Sequence, residues 1–196
     1  MSKRDKITQI KKEVENLKSS PLYKYRVQNN YKPVIGRGSL NADIMFIGEA
    51  PGKNEAETGK PFVGAAGKVL DQLLKIVDLD RTKVCISNIV MDRPPANRDP
   101  HPTEIKLYSP FVFRLIEIIN PKVIATLGRI SMREMFKYYE IENKLDTIGR
   151  IHGQIFETKS ANPKIIPLYH PAAALYNRGL LETMKKDFTK IKSASS

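Results

Sequence analysis

The sequence predicts a single α/β domain, a parallel sheet with helices on both faces, and three observations carry that expectation. Four short apolar runs, ADIMFIG (42–48), VCISNIV (84–90), KVIATLG (122–128) and KIIPLY (164–169), are nearly continuous, the pattern of strands buried on both faces. Segments of helical periodicity separate them. The glycine-bearing and polar residues that stand out fall directly after the runs, where loops at the carboxyl ends of a parallel sheet build a site. A chain of 196 residues, 41% hydrophobic, suffices for one core and is short for two.

Taken in order, residues 5–18 read as a surface helix, with Ile7, Ile10, Val14 and Leu17 recurring at spacings of three and four. Ser19 to Leu40 reads as an irregular basic segment. Residues 1–40 are therefore expected to pack as a helix and basic segment on an α/β domain of residues 41–196, one structural domain overall. The first strand ends in Gly48 and runs into GEAPG. A helix is expected over about 65–78, with Val69, Leu70, Leu73, Leu74 and Val77 on its apolar face. The second strand carries Cys85 and, near its end, Asn88. Further helices are expected over 103–119 and 129–139, on either side of the third strand. His170 and Pro171 follow the fourth strand, and a helix over about 179–192 closes the chain. Neither an internal repeat nor a low-complexity segment interrupts this order.

Thirty-three Lys and Arg against 21 Asp and Glu leave a formal charge of +12, which points to polyanionic partners. The apolar runs are far shorter than the roughly 20 residues of a membrane span, so no membrane partner is expected. MSKRDKITQIKKEVENLK lacks the apolar core of a secretion signal, and the expected location is cytoplasmic. The lone Cys85 excludes an internal disulfide and reads as a buried core thiol.

The chemistry concentrates in Gly48 to Leu74, GEAPGKNEAETGKPFVGAAGKVLDQLL. A strand stops, a glycine and proline turn follows, and a second glycine-rich turn opens a helix. Such turns expose backbone N–H groups, and a helix start at Gly64 to Gly67 could bind a phosphate or a carbonyl oxygen, or serve as an ordinary tight turn. This segment, together with ISNIV and RPPANRDPxPxEI (Ile86 to Ile105) and YHPAA (Tyr169 to Ala173), resembles in order and spacing the motifs of the family 4 uracil-DNA glycosylases. The resemblance runs from about Ser20 to Leu181. It implies a four-stranded parallel sheet flanked by helices, a DNA groove across the strand ends, and a pocket for one base flipped out of DNA.

The resemblance also implies roles. Phe62 resembles the ring on which the flipped pyrimidine stacks. Asn88 resembles the amide that reads the base, its carbonyl accepting uracil N3–H and its NH2 donating to O4, a pattern that cytosine reverses. His170 resembles the histidine facing pyrimidine O2, where negative charge collects as the glycosidic bond breaks. In the best-known branch an aspartate after the first strand orients the water; Ala50 holds that place here. The neighbouring Glu49 resembles the carboxylate that contacts the base or positions the water, with Glu55 as its support or substitute. Lys60, Arg93, Arg98 and Arg178 are candidate phosphate contacts, and Leu175 or Tyr176 a plug for the gap left by the base. His101 and His152 read as surface residues.

Three departures matter. Family 4 members usually hold an iron–sulfur cluster on four cysteines, whose places here are Ser20, Tyr23, Asp92 and Tyr108. The expectation is no cluster and no metal, with Tyr23, Tyr25 and Tyr108 filling the vacated volume. Gly52 stands where the best-known branch uses a tyrosine to exclude a C5 methyl, a permissive wall on sequence grounds. The extended RRIH-type loop of covalently trapping relatives is absent, so turnover is expected. The function implied is a monofunctional, monomeric DNA N-glycosylase of bacterial, archaeal or viral origin that releases uracil in base-excision repair. Two alternatives are a glycosylase for 5-substituted cytosines, such as those of phage DNA, and a catalytically inactive DNA-binding module.

Overall fold

A computed structural model describes residues 1–160 and 163–195. In chain order the elements are α1 (Lys3–Glu15), α2 (Leu22–Gln28), β1 (Arg37–Gly38), β2 (Ile44–Gly48), α3 (Lys53–Thr58), α4 (Ala65–Ile76), β3 (Cys85–Asn88), α5 (Pro102–Ile119), β4 (Val123–Leu127), α6 (Arg129–Tyr138), α7 (Ile148–Ile151), β5 (Lys164–Leu168), α8 (Ala173–Tyr176) and α9 (Gly179–Ala194). Single 3-10 turns lie at Pro95–Asn97 and Glu142–Lys144.

The strands lie in the order β1-β3-β2-β4-β5. The four expected strands form the parallel part of the sheet. The sheet has five strands, however, because β1 pairs antiparallel with β3 along its outer edge. This two-residue strand, arginine and glycine, has no apolar alternation to announce it. It depends on Gly38, whose φ is +130° and whose missing side chain leaves room for the Val84 carbonyl. At the other edge, Ile165 exchanges both backbone hydrogen bonds with Phe156 (2.8 and 2.9 Å), and the Pro167 carbonyl accepts from the Gly153 N–H (2.7 Å).

Near-continuous apolar strands bury both faces, and alternate residues feed two cores. Met45, Ile47, Cys85, Ile124 and Ile165 point to one face, covered by Ile10 and Val14 of α1, by α5, and by Met132, Met135 and Phe136 of α6. Ile44, Phe46, Ile86, Val123, Ala125 and Ile166 point to the other, covered by Leu70, Leu73 and Leu74 of α4 and by Met184, Phe188 and Ile191 of α9. All four strands therefore end on one side, between these layers. No helix among the described residues is long and apolar enough to cross a membrane.

Two expectations need correction. The segment from Ser19 to Leu40 is not wholly irregular: it contains α2 as well as β1. The helix buries only Leu22 and Arg26, so its one inward stripe includes a charged residue that hydrophobic periodicity passes over. Nor is His152 a free surface residue. Its Nδ1 lies 2.6 Å from Asp187 Oδ2, and its ring packs at 4.7 Å on Tyr169. His101 is exposed, as expected, at the start of α5.

The stacked pair Phe46 and Phe188, both fully buried with ring centroids 5.8 Å apart, ties α9 to the sheet. Phe188→Ala is expected to cost about 3–5 kcal/mol in urea unfolding, through lost transfer free energy and the cavity left behind.

Candidate active site

The site begins with a close approach. Gly48 ends β2 directly opposite Asn88 at the end of β3. A Cβ on Gly48 would lie 2.7 and 2.8 Å from the Phe62 ring and run into the Asn88 carboxamide oxygen. Only a glycine lets the Phe62 ring lie on the strand end beside that oxygen.

Phe62 is buried and holds a left-handed backbone (φ 50°), costly for a residue with a bulky side chain. The carbonyls of Pro61 and Phe62 both accept from Arg81 Nη2 at 2.8 Å, and Arg81 is in turn paired with Asp71. Gly67, in the first turn of α4, leaves room for the Phe62 carbonyl. Sequence reasoning missed Arg81. It lies 19 residues beyond the ring it holds, in a stretch with no motif of its own.

Glu55 of α3 completes this turn. It is buried, and its Oε1 accepts from the N–H groups of Val63 (2.9 Å) and Gly64 (2.7 Å). The amides read from sequence as an anion or carbonyl site thus bind the protein's own carboxylate. Glu55 Oε2 comes within 2.7 Å of where a Cβ on Gly52 would stand. A carboxylate oxygen therefore stands beside Gly52 in the wall of the cavity.

Glu49 follows β2 at the amino end of α6. Its Oε1 accepts from the Ile130 N–H at 3.0 Å, and Gly128 (φ +107°) has no side chain to obstruct it. Burial raises the carboxyl above the usual carboxylate range, an effect that the Ile130 N–H partly offsets; Asp99 adds to the rise and Arg129 opposes it. Asp99 and Arg129 are themselves paired.

His170 follows β5. Its Nδ1 accepts from the Ala172 N–H at 3.2 Å, so in the neutral ring Nε2 carries the proton. Burial pushes its pKa down to about 4, against the nearby negative charge of Glu55. The ring stands 5.7 Å from that of Phe62. Asn88 is 1% exposed, and its Oδ1 is buried with no hydrogen-bond donor. Such an orphaned acceptor costs about 1–3 kcal/mol, which a ligand's N–H would relieve.

Glu49, Ala50, Gly52, Glu55, Phe62, Asn88 and His170 thus line one cavity of about 440 Å³ at the strand ends. Pro94, Asn97, Arg98, Asp99 and Pro100 form one side of it, and Tyr176 reaches its rim. Tyr176 is 91% exposed and Leu175 48%. Lys60 and Arg178 are exposed nearby in the chain. Arg93 and Arg98 are engaged within the protein. Arg93 donates to Asn97 Oδ1 and to the hydroxyls of Tyr25 and Tyr31, and Arg98 forms a bidentate pair with the buried Glu104 (2.6 and 2.9 Å).

The four positions that the resemblance assigns to cluster cysteines do not suit iron–sulfur ligation. Ser20, Asp92 and Tyr108 are buried, with Ser20 and Asp92 each hydrogen-bonded to the Tyr108 hydroxyl; Tyr23 is half-buried, and the Arg26 guanidinium enters the group at 2.9 Å from Asp92 Oδ2. These are hydroxyls, a carboxylate and a cation, where a cluster needs thiolates. Cys85 lies on β3, its thiol pushed up to about 12 by burial. Among the described residues no group of three or more His, Cys, Asp or Glu is placed to hold a metal ion.

The family model described as uracil DNA glycosylase superfamily matches residues 35–193. The type-4 uracil-DNA glycosylase of Saccharolobus solfataricus is 45% identical over 195 residues, 98% of this chain and 88% of its own length. That of Sulfurisphaera tokodaii is 44% identical over 191 residues, 96% of this chain and 84% of its own. That of Archaeoglobus fulgidus is 39% identical over 189 residues, 95% and 92% respectively. With the family model spanning all five strands and every strand end that lines the cavity, the chain belongs to the uracil DNA glycosylase superfamily.

Proposed function

We propose that this chain excises uracil from DNA: it holds the flipped base in the cavity at the strand ends and hydrolyses the bond between N1 and the deoxyribose C1′. The observation that carries the reading is the buried, donorless Oδ1 of Asn88 beside the Phe62 ring, with the neutral His170 in the same cavity. A uracil stacked on Phe62 would give its N3–H to that oxygen and turn O2 toward His170 Nε2–H. Cytosine offers no N3–H, so it would leave the acceptor unsatisfied.

Bond breaking leaves the electron pair on N1, and the negative charge spreads to O2. His170 Nε2–H stabilises it as a donor already in place; with a pKa of about 4 the ring is neutral at physiological pH and acts through its hydrogen bond. The sugar cation is captured by water at C1′. Glu49 is the better placed of the two carboxylates to orient that water and take its proton. Burial raises its proton affinity, whereas Glu55 is committed through the Val63 and Gly64 amides to building the Phe62 turn.

Tyr176, or Leu175 beside it, would fill the gap in the stack, while the exposed Lys60 and Arg178 meet phosphates. Arg93 and Arg98, being internally paired, would shape the loop more than they bind DNA. The carboxylate behind Gly52 argues against a bulky group at C5, and so against the modified-cytosine reading. The intact set of Glu49, Asn88 and His170 argues against an inactive binding module. The chain would act as a monomer, release its product, and need no metal in the chemical step.

The deciding experiment is base release from a uracil-containing oligonucleotide by the purified protein, read as alkali-labile cleavage. Uracil DNA left intact where a control glycosylase cleaves it would reject the proposal. His170→Ala is expected to slow single-turnover release a hundredfold to a thousandfold, about 2.7–4 kcal/mol, with DNA affinity changed by less than about threefold. Phe62→Ala should weaken both rate and binding, since about 1–3 kcal/mol of stacking exists once the base is flipped. Gly48→Ala should abolish release, because its methyl displaces Phe62 from Asn88.

The His170 pKa gives a pH test. A neutral ring in the folded state and an ordinary one, near 6.5, in the unfolded chain mean that its contribution to stability is complete above about 6.5 and lost as pH falls toward 4. His170→Asn should flatten that part of the stability profile measured by urea unfolding. In the unaltered protein, single-turnover release should show no titration of His170 between pH 6 and 8.

A further inference from the structure

We propose that Asp92 is a positioning residue for the base pocket: with Ser20, Arg26 and Tyr108 it forms a polar clasp that fixes the loop of residues 93–100. The inference rests on the proposed function for its activity readout and on geometry for the rest.

The clasp is continuous and buried. Ser20, Arg26, Asp92 and Tyr108 are 4%, 7%, 1% and 0% exposed. Ser20 Oγ and the Tyr108 hydroxyl are 2.9 Å apart, and that hydroxyl donates to Asp92 Oδ2 at 2.7 Å. Arg26 Nε donates to the same oxygen at 2.9 Å, while its Nη2 donates to the carbonyls of Val14 (3.3 Å) and Glu15 (2.7 Å) at the end of α1. Ser20 Oγ also accepts from the Leu22 N–H, at the start of α2. One carboxylate oxygen therefore joins α1, α2, α5 and the segment leaving β3. A buried carboxylate with a hydrogen-bonded guanidinium is costly to break from one side, since removing one partner strands the other.

What the clasp holds is the pocket wall. Asp92 lies four residues after Asn88, and the intervening backbone is pinned to the site's other strand end: Ile89 N–H donates to the Gly48 carbonyl (3.0 Å) and Val90 N–H to that of Glu49 (2.9 Å). Beyond Asp92, Arg93 carries the fastening onward, to Asn97 Oδ1 (2.8 Å) and to the hydroxyls of Tyr25 (3.2 Å) and Tyr31 (2.7 Å). Tyr25 sits on α2 beside Arg26. Ala96 and Asn97, φ 55° and 53°, are consecutive left-handed residues without a glycine, a conformation that persists only when its surroundings enforce it. Pro94, Asn97, Arg98, Asp99 and Pro100 of this loop line the cavity.

The test compares Asp92→Asn and Tyr108→Phe with the unaltered protein, under conditions where urea titration shows each fully folded. Hydrogen exchange by mass spectrometry follows residues 91–101, with the β4 strand as the internal standard. Exchange in the loop is expected to rise at least about tenfold with β4 unchanged. Single-turnover uracil release at saturating DNA should fall at least about tenfold, with DNA affinity changed much less. Tyr108→Phe, which removes one hydroxyl and leaves the ion pair, should give a smaller effect in the same direction, and it decides the matter if Asp92→Asn does not fold. Loop exchange and release rate both unchanged in the folded variants would overturn the proposal. So would about four iron atoms per chain in protein purified without oxygen. If the unaltered protein released no base, the proposed function would fail, while loop exchange would still test the clasp.

Discussion

The geometry of the site depends on a missing side chain. At Gly48 the strand backbone, the Phe62 ring and the Asn88 carboxamide meet within van der Waals distance, and a single methyl group would separate them. Much of the neighbouring structure serves this contact. Arg81 and Gly67 secure the left-handed turn that brings the ring in, and Glu55 ties down the amides that follow it. The parallel register supplies the partner, because Gly48 and Asn88 are paired residues on adjacent strands. A flat ring beside a buried acceptor that lacks a donor is a surface complementary to a planar heterocycle carrying an N–H on its edge.

Electrostatics divides the two carboxylates of the site by their surroundings. Glu55 is held by two amides through one oxygen, whereas at Glu49 burial outweighs the Ile130 and Arg129 amides and favours the neutral form. The histidine is held neutral by burial and given its tautomer by one backbone amide, so its donor is directed without a carboxylate partner of its own. None of this requires the protein's large positive charge. Net charge is an argument about longer-range attraction to polyanions, not about the geometry of the site.

The fold was largely legible because strands buried on both faces leave unbroken apolar runs, and the helices between them carry clear stripes. What escaped was held by backbone or polar groups rather than by apolar pattern. The strand at Arg37 and Gly38 is an edge pairing of two residues, and α2 turns an arginine inward. At the site, Glu49, Phe62, Asn88 and His170 were legible through their motifs, and the structure brings them to one cavity. Arg81, Gly128 and the Ile130 amide were not, since they act through carbonyls, an absent side chain and a backbone N–H. Arg93 and Arg98 show the converse limit. Sequence gives their charge, and only the fold reveals the tyrosines and glutamate that already engage them.

The treatment of the two sheet margins bears on how copies of this chain behave toward each other. On one side, β1 covers β3; on the other, Ile165 is paired to Phe156, the Pro167 carbonyl is taken by Gly153, and Pro167 has no N–H to offer. Among the described residues, both margins of the parallel sheet are thus partly covered, which shortens the row of free amides and carbonyls on which a neighbouring chain could template itself. Covered margins of this kind act against strand-by-strand aggregation of crowded or concentrated protein.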